Sequence, residues 1–480
     1  MTVLPCRSPS LRYNLALREL FFQTHRRSLI TQTPQILSFS STLEKTLNLR
    51  ALLQTRLQAQ LYKTQHYCYW ENPQQQAAIL ALGQVVQAQL PSPQRFSRAK
   101  QVSQGWFERS HQGGECQQAY AGVHCFLAFT FFGHTTASSS PLFAPATLFI
   151  PQLQIVARPH ETLWVGNVKI DAESTWEETV AQFETLIAPL ENPLSAVLTA
   201  PAAIAPVSAA LTPTPESYAS FTQAVQAVLQ DIEQQQLTKL VLAHIIEQHY
   251  PQPISVGRTL THLRQTHPDC YVFAFGNGNG YHFVGASPER LIHIREQLLT
   301  TDALAGSAPR GISTQDDRAI AQRLLTSEKE NREHQAVSNY ILHQLTKLGL
   351  TPQRLSRRLR RLTNIQHLWT PITAILPDHF HPLDVVAQLH PTPAVAGIPA
   401  AKACAKIQDY EDFDRSLYAA PLGWLTPQGE SEFIVGIRSA LIRENWVCLY
   451  GGAGIVAGSD PERERAEIQL KLQTMGQALE

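Results

Sequence analysis

The sequence predicts an α+β fold, with large, mostly antiparallel sheets packed together and flanked by helices. Three observations carry this. Apolar runs of strand length recur along the chain, as at Val123–Phe132 and Leu240–Ile246. Tyr271–Phe275 and Tyr281–Gly285 flank Gly276-Asn277-Gly278-Asn279-Gly280, a hairpin signal that a purely parallel sheet does not contain. Stripes at helical spacing, such as Tyr218, Phe221, Val225, Val228 and Ile232, lie among the strands.

In chain order, residues 1–33 hold five arginines (7, 12, 18, 26 and 27) against one acid, Glu19. An Arg-rich, acid-poor start reads either as a disordered or targeting segment or as an amphipathic surface helix. Residues 34–197 form a variable scaffold region, with strands at Val123–Phe132 and Thr147–Ile155 and a helix at Ser174–Leu190. Residues 198–213, rich in Ala and Pro, mark a connector. Thr214-Pro215-Glu216 caps the helix that opens the region 214–480. Leu240–Ile246 is a short buried strand, and residues 314–348 read as one long helix.

The 39 Lys and Arg balance 39 Asp and Glu, so no overall field draws the protein to nucleic acid or to a membrane surface. The seven cysteines are odd in number and form no CxxC pair, which fits reduced thiols rather than a disulfide framework or a zinc site. No apolar run reaches the length of a membrane span. These features point to the cytoplasm, or to a plastid if the first 33 residues are a transit peptide.

The chemistry concentrates in residues 214–480. Gly451-Gly452-Ala453-Gly454 follows an apolar strand and reads as a glycine turn that exposes N–H donors to an anion. Gly452–Ala457 also matches a loose dinucleotide pattern, but that site needs a second strand, and one helix is all that remains of the chain. Gly458-Ser459-Asp460-Pro461 opens that helix, which sets Glu464, Glu467 and Lys471 at i, i+3 and i+7, on one face. This is either a solvated face with an i,i+4 pair or half of a metal site. Ser327–His334 supplies a second acidic helix, with Glu330 and Glu333 beside His334. Carboxylates from two helices suit Mg²⁺, which keeps positions for water and substrate oxygen. Lys239 opens an apolar strand; at a strand edge it is a solubility device, and pointing inward it is a usable base. Glu289, in Gly285-Ala286-Ser287-Pro288-Glu289-Arg290, is either a surface partner of Arg290 or a general acid on a tight turn. The run Arg354, Arg357, Arg358, Arg360 and Arg361 reads as a solvated helix face.

Eight stretches taken in order resemble one family. They are Lys239–Ala243, Gly285–Arg290, Leu304–Gly311, Ser327–His334, His390–Gly397, Tyr418–Trp424, Ile437–Ala440 and the C-terminal glycines with their helix. Together they look like the chorismate-utilising enzymes, over residues 214–480. The resemblance implies a Mg²⁺-dependent substitution on the chorismate ring, with Glu333 and Glu467 holding the metal and Glu330 and Glu464 supporting them. It implies Lys239 as the base for the attacking water and Glu289 as the acid for the departing 4-hydroxyl. Arg438, Lys471 and the Gly452–Gly454 segment would grip the enolpyruvyl carboxylate, Tyr418 and His367 would line the site, and Gly306 and Ser307 would lie near the leaving group.

Within the family, ammonia-using members usually carry Gln at the position of Lys239. Those with a nucleophilic lysine carry it at the position of Ala305, and those that go on to eliminate pyruvate tend to have Thr near Ala394. The chain therefore resembles the members that add water and stop at isochorismate, as monomers without a glutaminase subunit, in the supply of menaquinone or phylloquinone. Ala420, where glycine is common, and His244, where Arg is frequent, depart from the pattern.

Overall fold

A computed structural model describes residues 11–59, 65–72, 74–91, 94–134, 142–191, 218–363 and 365–479. The connector at 198–213 and the cap Thr214-Pro215-Glu216 lie outside them.

Two sheets form the body. The twelve-stranded sheet runs Gly397–Ile398, Lys239–His249, Trp446–Val456, Ser439–Arg443, His282–Ser287, Tyr271–Asn277, His66–Asn72, Ala77–Leu82, Leu153–Ala157, Thr162–Ile170, Gln35–Leu43 and Ser110–Gly114. The ten-stranded sheet holds Gln353–Arg354, Ile365–Ile375, Leu298–Pro309, Arg290–Arg295, Ser431–Val435, Pro421–Leu425, Cys125–Phe129, Ala146–Ile150 and Val86–Leu90 in order, with Arg358–Arg361 paired to Ile365–Ile375. The sheets are antiparallel as expected, apart from the parallel pairing of Gln35–Leu43 with Ser110–Gly114. Strands from residues 34–197 extend both sheets, so the two halves of the chain share one core. Between the sheets, the buried Glu432 accepts from Trp70 Nε1 (2.8 Å), Asn72 Nδ2 (2.7 Å) and Tyr271 Oη (3.0 Å). The buried carboxylate is thus satisfied by strands of the opposite sheet.

Several elements depart from the sequence reading, each for a local reason. Thr147–Ile155 is two strands, Ala146–Ile150 and Leu153–Ala157, which belong to different sheets. The break falls at Pro151-Gln152, where a missing N–H ends the ladder. The helix read at 314–348 is two, Thr314–Thr326 and Glu328–Lys347. Ser327 ends the first in extended backbone and caps the second through its Oγ, which accepts from Glu330 N. The arginine run is not a helix face. Arg358–Arg361 is a strand in which Arg358 and Arg360, two apart, both lie over the Trp369 ring. Gly451–Gly454 is not a turn but the middle of the strand Trp446–Val456, paired with Lys239–His249.

The N-terminal stretch read as disordered or targeting contains a capped helix, Leu15–Thr31. It buries Leu17, Leu20 and Phe21 against the fold. The hairpin forms as expected between Tyr271–Asn277 and His282–Ser287. Six described cysteines are free.

Candidate active site

All the residues that the sequence reading assigned to acid, base, metal and substrate line one cavity. Among them, Gly452, Gly454, Glu467 and Lys471 come from the C-terminal strand and helix, and Lys239 from the neighbouring strand. Glu330 and Glu464 stand behind the lining.

The two lysines are paired with two of the three lining carboxyl groups, Glu333 and Glu467. Lys239, 4% exposed, opens its strand and donates Nζ to Glu333 Oε1 at 2.8 Å. Lys471 donates to Glu467 Oε1 and to the Gly452 carbonyl, both at 2.6 Å. It is thus the carbonyl of Gly452, and not an N–H, that meets the lysine. Both glycines make room. A Cβ on Gly452 would stand 2.8 Å from Tyr418 Oη, and one on Gly454 3.0 Å from Lys239 Cε. Burial pushes the Glu467 carboxyl up, but Lys471, Arg438 and Lys239 together hold it below the usual carboxylate range.

Glu289 has the opposite balance. It sits where the chain passes from the strand His282–Ser287 of one sheet to Arg290–Arg295 of the other, 5% exposed. Its backbone is pinned at both ends: its N–H donates to Ser287 Oγ (3.2 Å), and its carbonyl accepts from Val435 N (3.1 Å). Burial pushes its carboxyl up to about 7; Lys239 and Arg360 pull against this and Asp302 adds to it. Arg290 is not its partner, since that guanidinium pairs with Asp302 at 2.8 Å.

Gly306 forms a bulge. The pairing of Leu298–Pro309 with Ile365–Ile375 shifts between Ala305 and Ser307, and Gly306 takes φ +75°. The bulge turns Ser307 so that its Oγ meets His367 Nδ1 at 2.8 Å and its N–H donates to Glu330 Oε2 at 3.2 Å. Burial, reinforced by Arg438, Lys471 and Arg360, pulls His367 down to about 3. The ring is therefore neutral, and its Nε2 is buried without a protein partner. Tyr418 stacks on Tyr450 at 5.1 Å, and burial pushes its hydroxyl up to about 12. Arg438, also in the lining, takes φ +52°, a left-handed backbone position uncommon outside glycine.

The donor set fits Mg²⁺. Among the described residues no group of three or more His, Cys, Asp or Glu forms a complete metal cage. Two carboxylates facing one cavity are what a hard ion needs when water and a ligand's oxygens complete its shell. Burial and the charges of Glu333 and Glu467 also raise Glu330, while burial and Glu467 raise Glu464, a crowding that a divalent cation would relieve. His334 is no ligand: it is buried against the Ala305 carbonyl and Thr370 Oγ1. His244 packs on Tyr218 and Phe221, and Ala420 is buried beside the lining residue Ala419. The sequence reading missed Arg415, Tyr450 and Val241 in the lining. The signals were available: Arg415 lies three residues before Tyr418, Tyr450 abuts the glycines, and Val241 shares a strand face with Lys239.

Fold and site define an α+β enzyme built to hold a small anion between lysines, an arginine and paired carboxylates. The chain matches the family model described as chorismate binding enzyme over residues 23–480, and it belongs to that family. It is 30% identical to isochorismate synthase MenF of Bacillus subtilis (strain 168) over 427 residues, covering 86% of this chain and 87% of that protein. It is 42% identical to the salicylate biosynthesis isochorismate synthase of Pseudomonas aeruginosa over 229 residues, where the match covers 47% of this chain and spans 48% of that relative. Among solved structures, the menaquinone-specific isochorismate synthase MenF of Escherichia coli superposes with a TM-score of 0.74 at 24% identity, over 98% of this chain and all of that one, which establishes the shared fold.

Proposed function

We propose that this protein is an isochorismate synthase, converting chorismate to isochorismate with Mg²⁺ as cofactor. The observation that carries the reading is that a base candidate, Lys239 on a strand, and a buried carboxyl, Glu289 in the link between two other strands, face the same cavity, which Glu333 and Glu467 also line. Its relatives in Bacillus subtilis and Pseudomonas aeruginosa bear the same activity in their names.

Lys239 takes a proton from the water that attacks C2, the ring double bonds shift, and Glu289 gives its proton to the 4-hydroxyl, which leaves as water. Each group must be in the right protonation state at the start. Burial raises the Glu289 carboxyl to about 7, so a substantial fraction of it still carries its proton at neutral pH. Arg438 and Lys471 hold the substrate's carboxylate, and Tyr418 and the neutral His367 border the ring. When bound at Glu333 and Glu467, Mg²⁺ supplies charge neutralisation for a substrate carboxylate. Holding the ring fixed between acid and base then contributes the orientation term. We propose that it serves naphthoquinone synthesis, as the menaquinone-specific name of its Escherichia coli relative suggests, and that it works as a monomer in the cytoplasm.

The test is product identification from chorismate and Mg²⁺ without ammonia. Isochorismate is expected. Salicylate as the end product would mean that the same site also eliminates pyruvate, and unchanged chorismate would refute the assignment.

A further inference from the structure

We propose that Glu411 and Arg415 form a positioning pair that completes the edge of the strand bearing the base Lys239 and so fixes that lysine in the cavity. The inference rests on the functional reading above and adds residues that it does not use.

Arg415 is 1% exposed and its partner Glu411 3%, among the most enclosed ions in the molecule. The pair is doubly joined, Arg415 Nε to Glu411 Oε2 at 2.8 Å and Nη2 to Oε1 at 2.5 Å. Its remaining donors and acceptor reach three backbone groups. Nη1 donates to the Val395 carbonyl (2.9 Å), Nη2 donates to the Val241 carbonyl (2.8 Å), and Glu411 Oε1 accepts from Ala243 N (2.7 Å). Arg415 lines the cavity, but four of its five N–H donors are committed to protein.

Strand geometry explains the arrangement. On one side, Lys239–His249 pairs along its length with Trp446–Val456. On the other, its sheet partner among the described residues is the two-residue strand Gly397–Ile398, opposite Lys239 and Leu240, and that edge continues with a bond from Val241 N to the Ala396 carbonyl at 2.7 Å. Beyond it, the Val241 carbonyl and the Ala243 N–H would be a buried, unpaired edge, which is costly. The Glu411–Arg415 pair replaces the missing strand there. The same guanidinium holds the carbonyl of Val395, a lining residue just before Ala396 on the neighbouring segment. One planar, always-charged group thus ties the strand of the base to the segment beside it, a task for which a fork is suited and a point charge is not. Phe131, from the N-terminal half, lies over the guanidinium at 4.5 Å, and its N–H bonds the Ser416 carbonyl. The scaffold region therefore reaches the catalytic geometry through this pair.

The experiment uses the full chain with two variants. The double variant Glu411→Leu/Arg415→Met removes both charges at similar volume, so neither ion is left stranded. Arg415→Lys keeps the charge and loses the fork. Amide hydrogen exchange over residues 239–245 should quicken at least about tenfold in the double variant, because Ala243 N–H loses its acceptor. The kcat for chorismate should fall on the order of 10²-fold with KM within about threefold, since the base moves while the substrate grip stays. Arg415→Lys should lie between parent and double variant. Parental exchange in a folded double variant overturns the clamp, and a parental kcat in either variant overturns its catalytic role. Should the double variant not fold, Arg415→Lys decides by the same two measurements. A parent chain that leaves chorismate unchanged refutes the functional reading instead, and the exchange measurement then judges the clamp alone.

Discussion

Two walls of one cavity treat buried ionisable groups in opposite ways. On the wall built by the strands Lys239–His249 and Trp446–Val456 and the C-terminal helix, Lys239 and Lys471 each meet a carboxylate within 2.8 Å. On the wall built around Glu289 and His367, burial dominates, and each group is driven toward its neutral form. Lys239 and Glu289 are almost equally enclosed, at 4% and 5% exposure. The comparison teaches that enclosure alone does not set a group's role: Lys239 meets Glu333 at hydrogen-bond distance, whereas burial raises Glu289, which has Arg290 turned away to Asp302. Both treatments meet in one cavity.

The most damaging way to break this contrast is to remove one member from each wall. Lys239→Ala and Glu289→Ala should each lower kcat by on the order of 10²–10⁴-fold while leaving the protein folded, as followed by chorismate consumption and circular dichroism. Near-parental rates in both would defeat the assignment of roles.

Next, Glu467→Ala should weaken Mg²⁺ by more than the ~10–100-fold that loss of a supporting group costs, together with activity. A metal titration with unchanged affinity would remove Glu467 from the ligand set.

The neutral wall predicts a pH effect. Glu289 must carry its proton, and its carboxyl is raised to about 7, so kcat/KM should decline as pH rises through that value. The linkage has the same direction. A carboxyl whose folded value lies above its unfolded one costs stability as pH rises from about 4.5 to 7, by about 3 kcal/mol at the top of that window. Glu289→Gln should therefore be inactive yet more stable than the parent at pH 8, and no more stable below pH 4.5. Equal melting temperatures at pH 8 would show that the carboxyl is not neutralised by its surroundings.

The smallest expected effect sharpens the charged wall. Gly454→Ala puts a methyl 3.0 Å from Lys239 Cε, which must shift by a few tenths of an ångström. We expect about a tenfold loss of kcat with little change in melting temperature, because Gly454 has no left-handed backbone to protect. A parental kcat would mean that the lysine's position is loosely held.

Much of the site was legible in the amino-acid sequence. Its motifs are short and local, so Glu330 and Glu333 were readable as the acidic face of a helix, although the Ser327 cap that divides 314–348 in two was not read. The elements misread were those in which a local signal competes with pairing to distant chain. Gly451–Gly454 has turn composition but sits in a sheet interior, because side chains from Tyr418 and Lys239 fill the space its missing Cβ atoms leave. The arginine run has helix-forming residues but lies at a sheet edge, where Trp369 accepts two guanidinium groups.

By itself the sequence determined the α+β class, the family, and the kinds of groups brought to the reaction, since these depend on residue type and short spacing. Only the tertiary structure decided which lysine meets which carboxylate, that Glu289 holds its proton to about pH 7 while its neighbour Arg290 turns away to Asp302, and that Arg415 completes the edge of the strand bearing Lys239. Protonation and alignment depend on solvent exclusion and on contacts between segments far apart in the chain, and neither is written in any one stretch of it.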